Sequence, residues 1–239
     1  MLVVMPNHSH PTKTPILENG DFLSRTEFER RYRAMPHLKK AELIEGIVYM
    51  ASPLRFEPHA EPHANLLVWL GNYKIATSGV RLGDNPTVRL DLDNEPQPDA
   101  VLLIDSNFGG QSCLDDDGYI EGAPELVAEI SASTASIDLR DKKRVYRRNR
   151  VQEYLVWQVM DRRLDWFALQ GEEYISLTPD AEGIIRSKAF PGLWLAVAAL
   201  LAGDMLLVMT TLQAGLASPE HQRFLQQLTS FSSKPEEEK

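Results

Sequence analysis

Pro124-Glu125-Leu126-Val127-Ala128-Glu129-Ile130-Ser131 is the stretch on which the fold turns. It reads as a buried strand with an acid set into it. Successive strand side chains point to opposite faces, so Val127, Glu129 and Ser131 share one face and Leu126, Ala128 and Ile130 the other. A carboxylate inside an apolar strand is costly unless it is paired or bound to a cation. A second acid stands in the same setting upstream, in Gln97-Pro98-Asp99-Ala100-Val101-Leu102-Leu103-Ile104, where Asp99, Val101 and Leu103 share a face. If the two strands are neighbours, Asp99 and Glu129 can converge on one cation. Carboxylate oxygens are the ligands Mg²⁺ prefers, and it is usually held by one or two of them with several waters.

Downstream of the second acid the pattern predicts a helix. At about 100° per residue, Asp138, Leu139, Lys142, Val145, Tyr146 and Asn149 fall within an arc of about 120°. Arg140, Lys143, Arg144, Arg147 and Arg148 lie on the other side. Lys142 is therefore the one basic residue of this helix on its apolar face, and an inward lysine needs a partner. Asp138 at i−4, the carboxylate pair and a substrate phosphate are the candidates. Two carboxylates and a lysine are the smallest kit for metal-dependent phosphodiester cleavage, with the metal polarising a phosphoryl oxygen and activating water. Singly, Asp99 also reads as a strand-start turn residue, Glu129 as an edge acid paired with an arginine, and Lys142 as a partner of Asp138.

Outward from this centre the chain reads as one α+β domain. Ser24 or Thr26 caps a helix through Phe28, Tyr32 and Met35, with Glu29 completing a capping box after Thr26. Glu42-Leu43-Ile44 and Ile47-Val48-Tyr49-Met50 flank Glu45-Gly46 as a hairpin. Residues 63–77 carry a helical rhythm, and short strands follow at 87–92 and 99–104. Residues 105–123 read as one long Gly/Asp/Ser loop. After the Lys142 helix, 153–159, 164–169 and 174–177 form an antiparallel meander. The apolar run from Leu193 to Met209 is broken by Gly203-Asp204 and reads as two short helices, with Asp204 capping the second. Residues 1–20 read as a flexible arm, 21–217 as the folded domain, and 218–239 as a terminal helix with a charged tail.

The 239 residues carry a formal charge of −9, which argues against tight nonspecific binding to nucleic acid but leaves room for a local basic patch. That patch is the Arg140, Lys143, Arg144, Arg147 and Arg148 face, which reads equally as a solvated surface or a phosphate-contacting one. Cys113 is the only cysteine, which excludes an intrachain disulfide and fits a reducing, cytoplasmic setting. No signal peptide or membrane span is expected. His59 and His63 are spaced i,i+4, but Pro62 between them argues against one helix and so against a two-histidine metal site; His63 reads as a helix-start or site-rim residue. Asp115-Asp116-Asp117-Gly118 fails as a calcium loop, because aligning its glycine places Cys113 and Pro124 at ligand positions.

Taken in order, Glu42-Leu43-Ile44-Glu45-Gly46, Gln97-Pro98-Asp99, Gly122 through Ser131, then Asp138, Lys142, Tyr146 and Val151-Gln152-Glu153-Tyr154-Leu155-Val156-Trp157 resemble the Uma family of restriction endonucleases. This family lies within the PD-(D/E)XK nuclease superfamily, and the resemblance spans roughly residues 24–200. It implies an α/β restriction-endonuclease-like core, a mixed central sheet flanked by helices, with Asp99 and Glu129 as metal-binding catalytic acids. Mg²⁺ or Mn²⁺ is then the expected cofactor, DNA the expected substrate, and a homodimer a means of cutting two strands. The sequence departs from the superfamily two residues after Glu129, where Ser131 replaces the usual lysine; Lys142 is the natural substitute. Glu42 resembles an extra N-terminal acid of such sites, and Asp138, Tyr146 and His63 are further accessory candidates. Arg150 stands where relatives often have glycine, which bears on the helix C-cap. The alternative is a nuclease-fold protein without catalysis, kept as a nucleic-acid or protein interaction module.

Overall fold

The structure, a computed structural model, describes residues 14–50, 54–132 and 134–232. The N-terminal part comprises α1 (Arg25–Arg33), the hairpin β1 (Ala41–Ile44) and β2 (Ile47–Met50), and α2 (Glu61–Ala76), which a π-helical turn at Phe56–Ala60 leads into. Next come β3 (Val80–Asp84), β4 (Val88–Arg89), β5 (Ala100–Ile104), β6 (Cys113–Leu114), β7 (Ile120–Glu121) and β8 (Leu126–Ser131). A helical crossover follows: α3 (Ala135–Ile137), a π-helical turn at Asp138–Lys142, and α4 (Lys143–Arg148). The chain ends with β9 (Glu153–Gln158), β10 (Arg163–Gln170), β11 (Glu173–Leu177), β12 (Ile184–Arg186), β13 (Trp194–Ala196), α5 (Val197–Ala202), α6 (Met205–Leu216) and α7 (Pro219–Ser232).

Six strands form the central sheet in the order β11-β10-β9-β8-β5-β3. Only β8 and β9 run parallel, with Leu126 opposite Glu153 and Ser131 opposite Gln158; the other pairs are antiparallel. A parallel pair cannot be joined by a tight turn and needs a crossover. The segment carrying Lys142 is that crossover, which is why it lies over the face of β8 that carries Glu129. The sheet is α+β and mixed, with the expected meander at one edge.

The alternation read from the sequence sorts the core. Ala100, Leu102, Leu126, Ala128, Ile130, Leu155 and Trp157 face a large cluster with Leu66, Trp69, Tyr73, Val208 and Leu212 of α2 and α6. Val101, Leu103, Val127, Tyr154 and Val156 face the crossover through Leu139 and Tyr146. Leu17, Phe28, Leu43 and Val48 make a third cluster under the N-terminal hairpin. Its turn residues, Glu45 and Gly46, take φ 53° and 75°, the paired left-handed conformation of a type I′ turn. Ser24, rather than Thr26, is the cap of α1, accepting from the Glu27 amide at 3.5 Å; Glu29 instead pairs with Arg25 and Arg33. Asp204 caps α6 as expected, accepting from the Leu207 amide at 3.1 Å.

Several expectations change. Residues 105–123 are not one open loop. They carry a short 3₁₀ turn at Ser106–Phe108 and the strands β6 and β7, which join β4 in a small three-stranded sheet. Asp115 caps its own turn and pairs with Arg89. The arm expected over residues 1–20 lies outside the described residues up to 13, while Leu17 is buried against Met35. Pro62 does not separate His59 from His63. It sits in the first turn of α2, where no helical amide bond is lost, and the π-helical turn before it keeps both histidines on one side with ring centroids 5.7 Å apart. Arg150 does adopt the left-handed conformation, φ 69°, that glycine would take more readily. The charged tail, residues 233–239, lies outside the described residues.

Candidate active site

Asp99 precedes β5, and the β5–β8 register, continued by one residue from Ala100 opposite Ala128, sets it across from Glu129. The Asp99 Oδ2 accepts the Ile130 amide at 2.7 Å. His59 Nε2 lies 3.3 Å from the same oxygen, and Lys40 Nζ lies 3.4 Å from Oδ1. Burial alone would push the Asp99 carboxyl up, but His59, Lys40 and the Ile130 amide hold it well below the usual carboxylate range. His63 donates to the Asp99 carbonyl at 2.8 Å and fixes the backbone there.

Glu129, 3% exposed, lies at the base of a second grouping. Its Oε1 accepts from Lys142 Nζ at 2.9 Å and from the Tyr146 hydroxyl at 3.0 Å. Lys142 also pairs with Glu42 at 2.9 Å and with Asp138 at 3.7 Å. Glu42 reaches in from β1 and is held by the Gln97 amide, which donates to its Oε1 at 2.7 Å. The Thr134 hydroxyl donates to Asp138 at 2.6 Å, and the Tyr154 hydroxyl to the Asp138 carbonyl at 3.0 Å.

The electrostatics follow from the count of charges. Three carboxylates surround one ammonium, with Asp99 close by. Burial pushes Glu129 up to about 8; Lys142 opposes this, while Asp138, Asp99 and Glu42 add to it. Lys142 is held well above the usual ammonium value, because Glu129, Glu42 and Asp138 together outweigh its burial. The lysine is a fixed positive charge, and the acids around it resist ionising together, a repulsion that further positive charge would relieve. Hard oxygen donors that ionise when a cation arrives fit a divalent metal. Among the described residues no three His, Cys, Asp or Glu side chains are arranged as a ready cage. Two strand carboxylates, with water and substrate completing the shell, match the way Mg²⁺ is commonly held.

The residues predicted from sequence are therefore mostly brought together. Asp99, Glu129, Lys142, Asp138 and Tyr146 are buried together, Glu42 reaches them from a half-buried position, and His63 is at the rim. Lys142 pairs with Glu129 rather than spanning both acids, while Asp99 has its own partners, Lys40 and His59. Ser131 is buried and carries no charge. The basic face is largely engaged inside the molecule. Arg144 pairs with Asp141 and Glu45, Arg147 with Glu173, and Arg148 with Glu45 and Asp91. Lys143 sits over the Phe167 ring, and Arg140 has no ion pair among the described residues. Lys40 and His59 were not foreseen at the site. The i,i+4 spacing of His59 to His63 was the available signal; Lys40 offered none.

Residues 25–198 match the model of a family, Uma2, described as "Putative restriction endonuclease". No curated protein matches the chain. Among solved structures, a crystal structure titled as a "putative nuclease belonging to DUF820" from Anabaena variabilis is similar in fold. Its TM-score is 0.55 at 14% identity, over 72% of this chain and 96% of that one.

Proposed function

The chain belongs to the Uma2 family, whose model it matches over most of its length, and on that premise we propose that it is a divalent-cation-dependent endonuclease hydrolysing phosphodiester bonds of DNA. One observation carries this reading: Glu129 in β8 and Asp99 just before β5 stand across from each other on one face, with a charged lysine fixed against Glu129. Asp99 and Glu129 are the residues that would hold Mg²⁺ or Mn²⁺. A cation there would polarise the scissile phosphoryl group and favour ionisation of water. Lys142 is too firmly protonated to act as a base; it donates to the attacking water and balances charge building on the phosphoryl oxygens. Glu42 and Asp138 keep it charged and in place. Tyr146 donates to the same Glu129 oxygen as Lys142, so neither takes Oε2.

The basic side chains of α4 supply the DNA contact in this reading, together with Arg140. Arg144, Arg147 and Arg148 pair with exposed or partly exposed acids; exposed pairs contribute about 0–1 kcal/mol, so a polyanion can compete for these arginines. A homodimer in a cytoplasmic setting would bring two such sites to two strands. Among the described residues no helix is long and apolar enough to cross a membrane.

The engagement of that basic face also favours a second reading, a nuclease fold without catalysis that serves as an interaction module. Plasmid DNA and an RNA of matched length, incubated with the purified chain and Mg²⁺ or Mn²⁺, separate the two. Nicking of the DNA that stops with chelator and with Asp99→Ala supports the nuclease. Cleavage that survives in Asp99→Ala, or cleavage of RNA alone, contradicts the assignment.

A further inference from the structure

Asp99 uses its two oxygens differently. Oδ2 is fixed by the Ile130 amide at 2.7 Å and by His59 at 3.3 Å, both buried residues. Among the described residues Oδ1 faces only Lys40, at the longer distance of 3.4 Å. Lys40 comes from the loop between α1 and β1, and its side chain is 25% exposed. Its shorter hydrogen bond, 3.0 Å, goes to Asn85 Oδ1 at the surface. The ammonium is thus shared between a buried acid and an exposed amide, on a flexible four-carbon stem.

We infer that Lys40 is a displaceable counter-ion, holding Asp99 Oδ1 in the cation-free protein and passing to the substrate's phosphodiester when a divalent cation takes that oxygen. The inference rests on the cation site proposed above and adds a residue to it. Two positive charges cannot share one carboxylate oxygen without strong mutual repulsion, so cation binding and the Lys40 contact exclude each other. Lys142 cannot play this part. It is buried and tied to three acids, whereas Lys40 is partly exposed. Once released, Lys40 stays tethered beside Asp99 as a compact point charge, suited to a phosphate oxygen. Lys40 thereby couples the arrival of the cation to recognition of the nucleic-acid backbone, as a binding and positioning residue.

Calorimetric titration of the full chain with Mn²⁺, without nucleic acid, tests the exchange. Asp99→Asn identifies the part of the isotherm that belongs to the site. Lys40→Met removes the competitor from a partly exposed position, and Lys40→Gln serves as a second variant that keeps a polar tip at Asn85. Both variants are expected to bind the Asp99-dependent cation about tenfold more tightly than the wild type. With Ca²⁺ and a cleavage-resistant phosphorothioate duplex, both should bind DNA several-fold more weakly, with a shallower dependence on salt by about one phosphate contact. Cation affinity that is unchanged or weaker in both variants overturns the inference while leaving the cation site standing. Tighter cation binding with unchanged duplex binding overturns the transfer to phosphate. Absence of any Asp99-dependent cation in wild type and variants alike overturns the site and the inference together.

Discussion

Glu129 and Glu153 stand on the two parallel strands of one sheet, both nearly inaccessible at 3% and 1% exposure, and they are used in opposite ways. Glu153 is saturated by neutral donors. Its Oε1 accepts the Lys188 and Ala189 amides, and its Oε2 accepts the Ser187 hydroxyl at 2.7 Å and the Trp166 indole at 3.1 Å. It ties the 187–190 turn to the sheet and has no acid beside it among those partners. Glu129 has an ammonium and a phenol on one oxygen and three further acids whose charges reach it. Depth of burial is the same, so burial does not mark function. What differs is whether a carboxylate's bonds are closed by the fold or left in electrostatic imbalance that a cation would relieve.

The largest effect expected from breaking this contrast is at Lys142. Lys142→Met leaves Glu129, Glu42 and Asp138 buried without their shared cation, and should cost about 3–5 kcal/mol of stability in denaturant unfolding. Divalent cation should recover part of that loss, because it replaces the missing charge. A variant as stable as wild type would show that the acids are already neutral and the cluster inert. Next is Glu153→Gln, which turns an amide NH₂ toward two donors and should cost about 2–3 kcal/mol with cation binding retained. Loss of cation binding there at unchanged stability would erase the distinction between the two glutamates.

A third buried glutamate sharpens the comparison. Glu95 is pushed up to about 8 by burial, with Glu29 adding and Arg89 and Arg25 opposing, and its Oε2 has no hydrogen-bond partner among the described residues. Its ordinary value is 4.5, so the folded state binds its proton more tightly than the unfolded state. The stability this provides is full below about pH 4.5 and is lost as pH rises through about 8. Glu95→Gln should therefore flatten the decline in melting temperature over that window. An equal decline in the variant would assign the slope to other acids.

Much of this contrast was legible in the sequence. The two-residue period placed Glu129 and Asp99 on one face, and the 3.6-residue period placed Lys142 inward, because both depend only on which face is apolar. The phase of Lys142 survived the π-helical turn at Asp138–Lys142, since Val145 and Tyr146 just beyond it anchor the same face. The two-residue strands β4, β6 and β7 had too few positions to show a period. Pro62 was a misleading breaker because its meaning depends on where the helix starts. Lys40 was invisible for another reason: a lone lysine in a loop acquires a role only from the tertiary partner that the fold brings to it.

One substitution made at both glutamates tests the central claim most directly, with plasmid nicking in Mg²⁺ and thermal unfolding measured on the same preparations. Glu129→Gln should lose nicking by about 10³-fold or more, the equivalent of about 4 kcal/mol, while its melting temperature stays equal to or above that of wild type. Glu153→Gln should melt several degrees lower and still cut DNA below its transition. Nicking that persists in Glu129→Gln, or that disappears only in step with unfolding, would contradict the account.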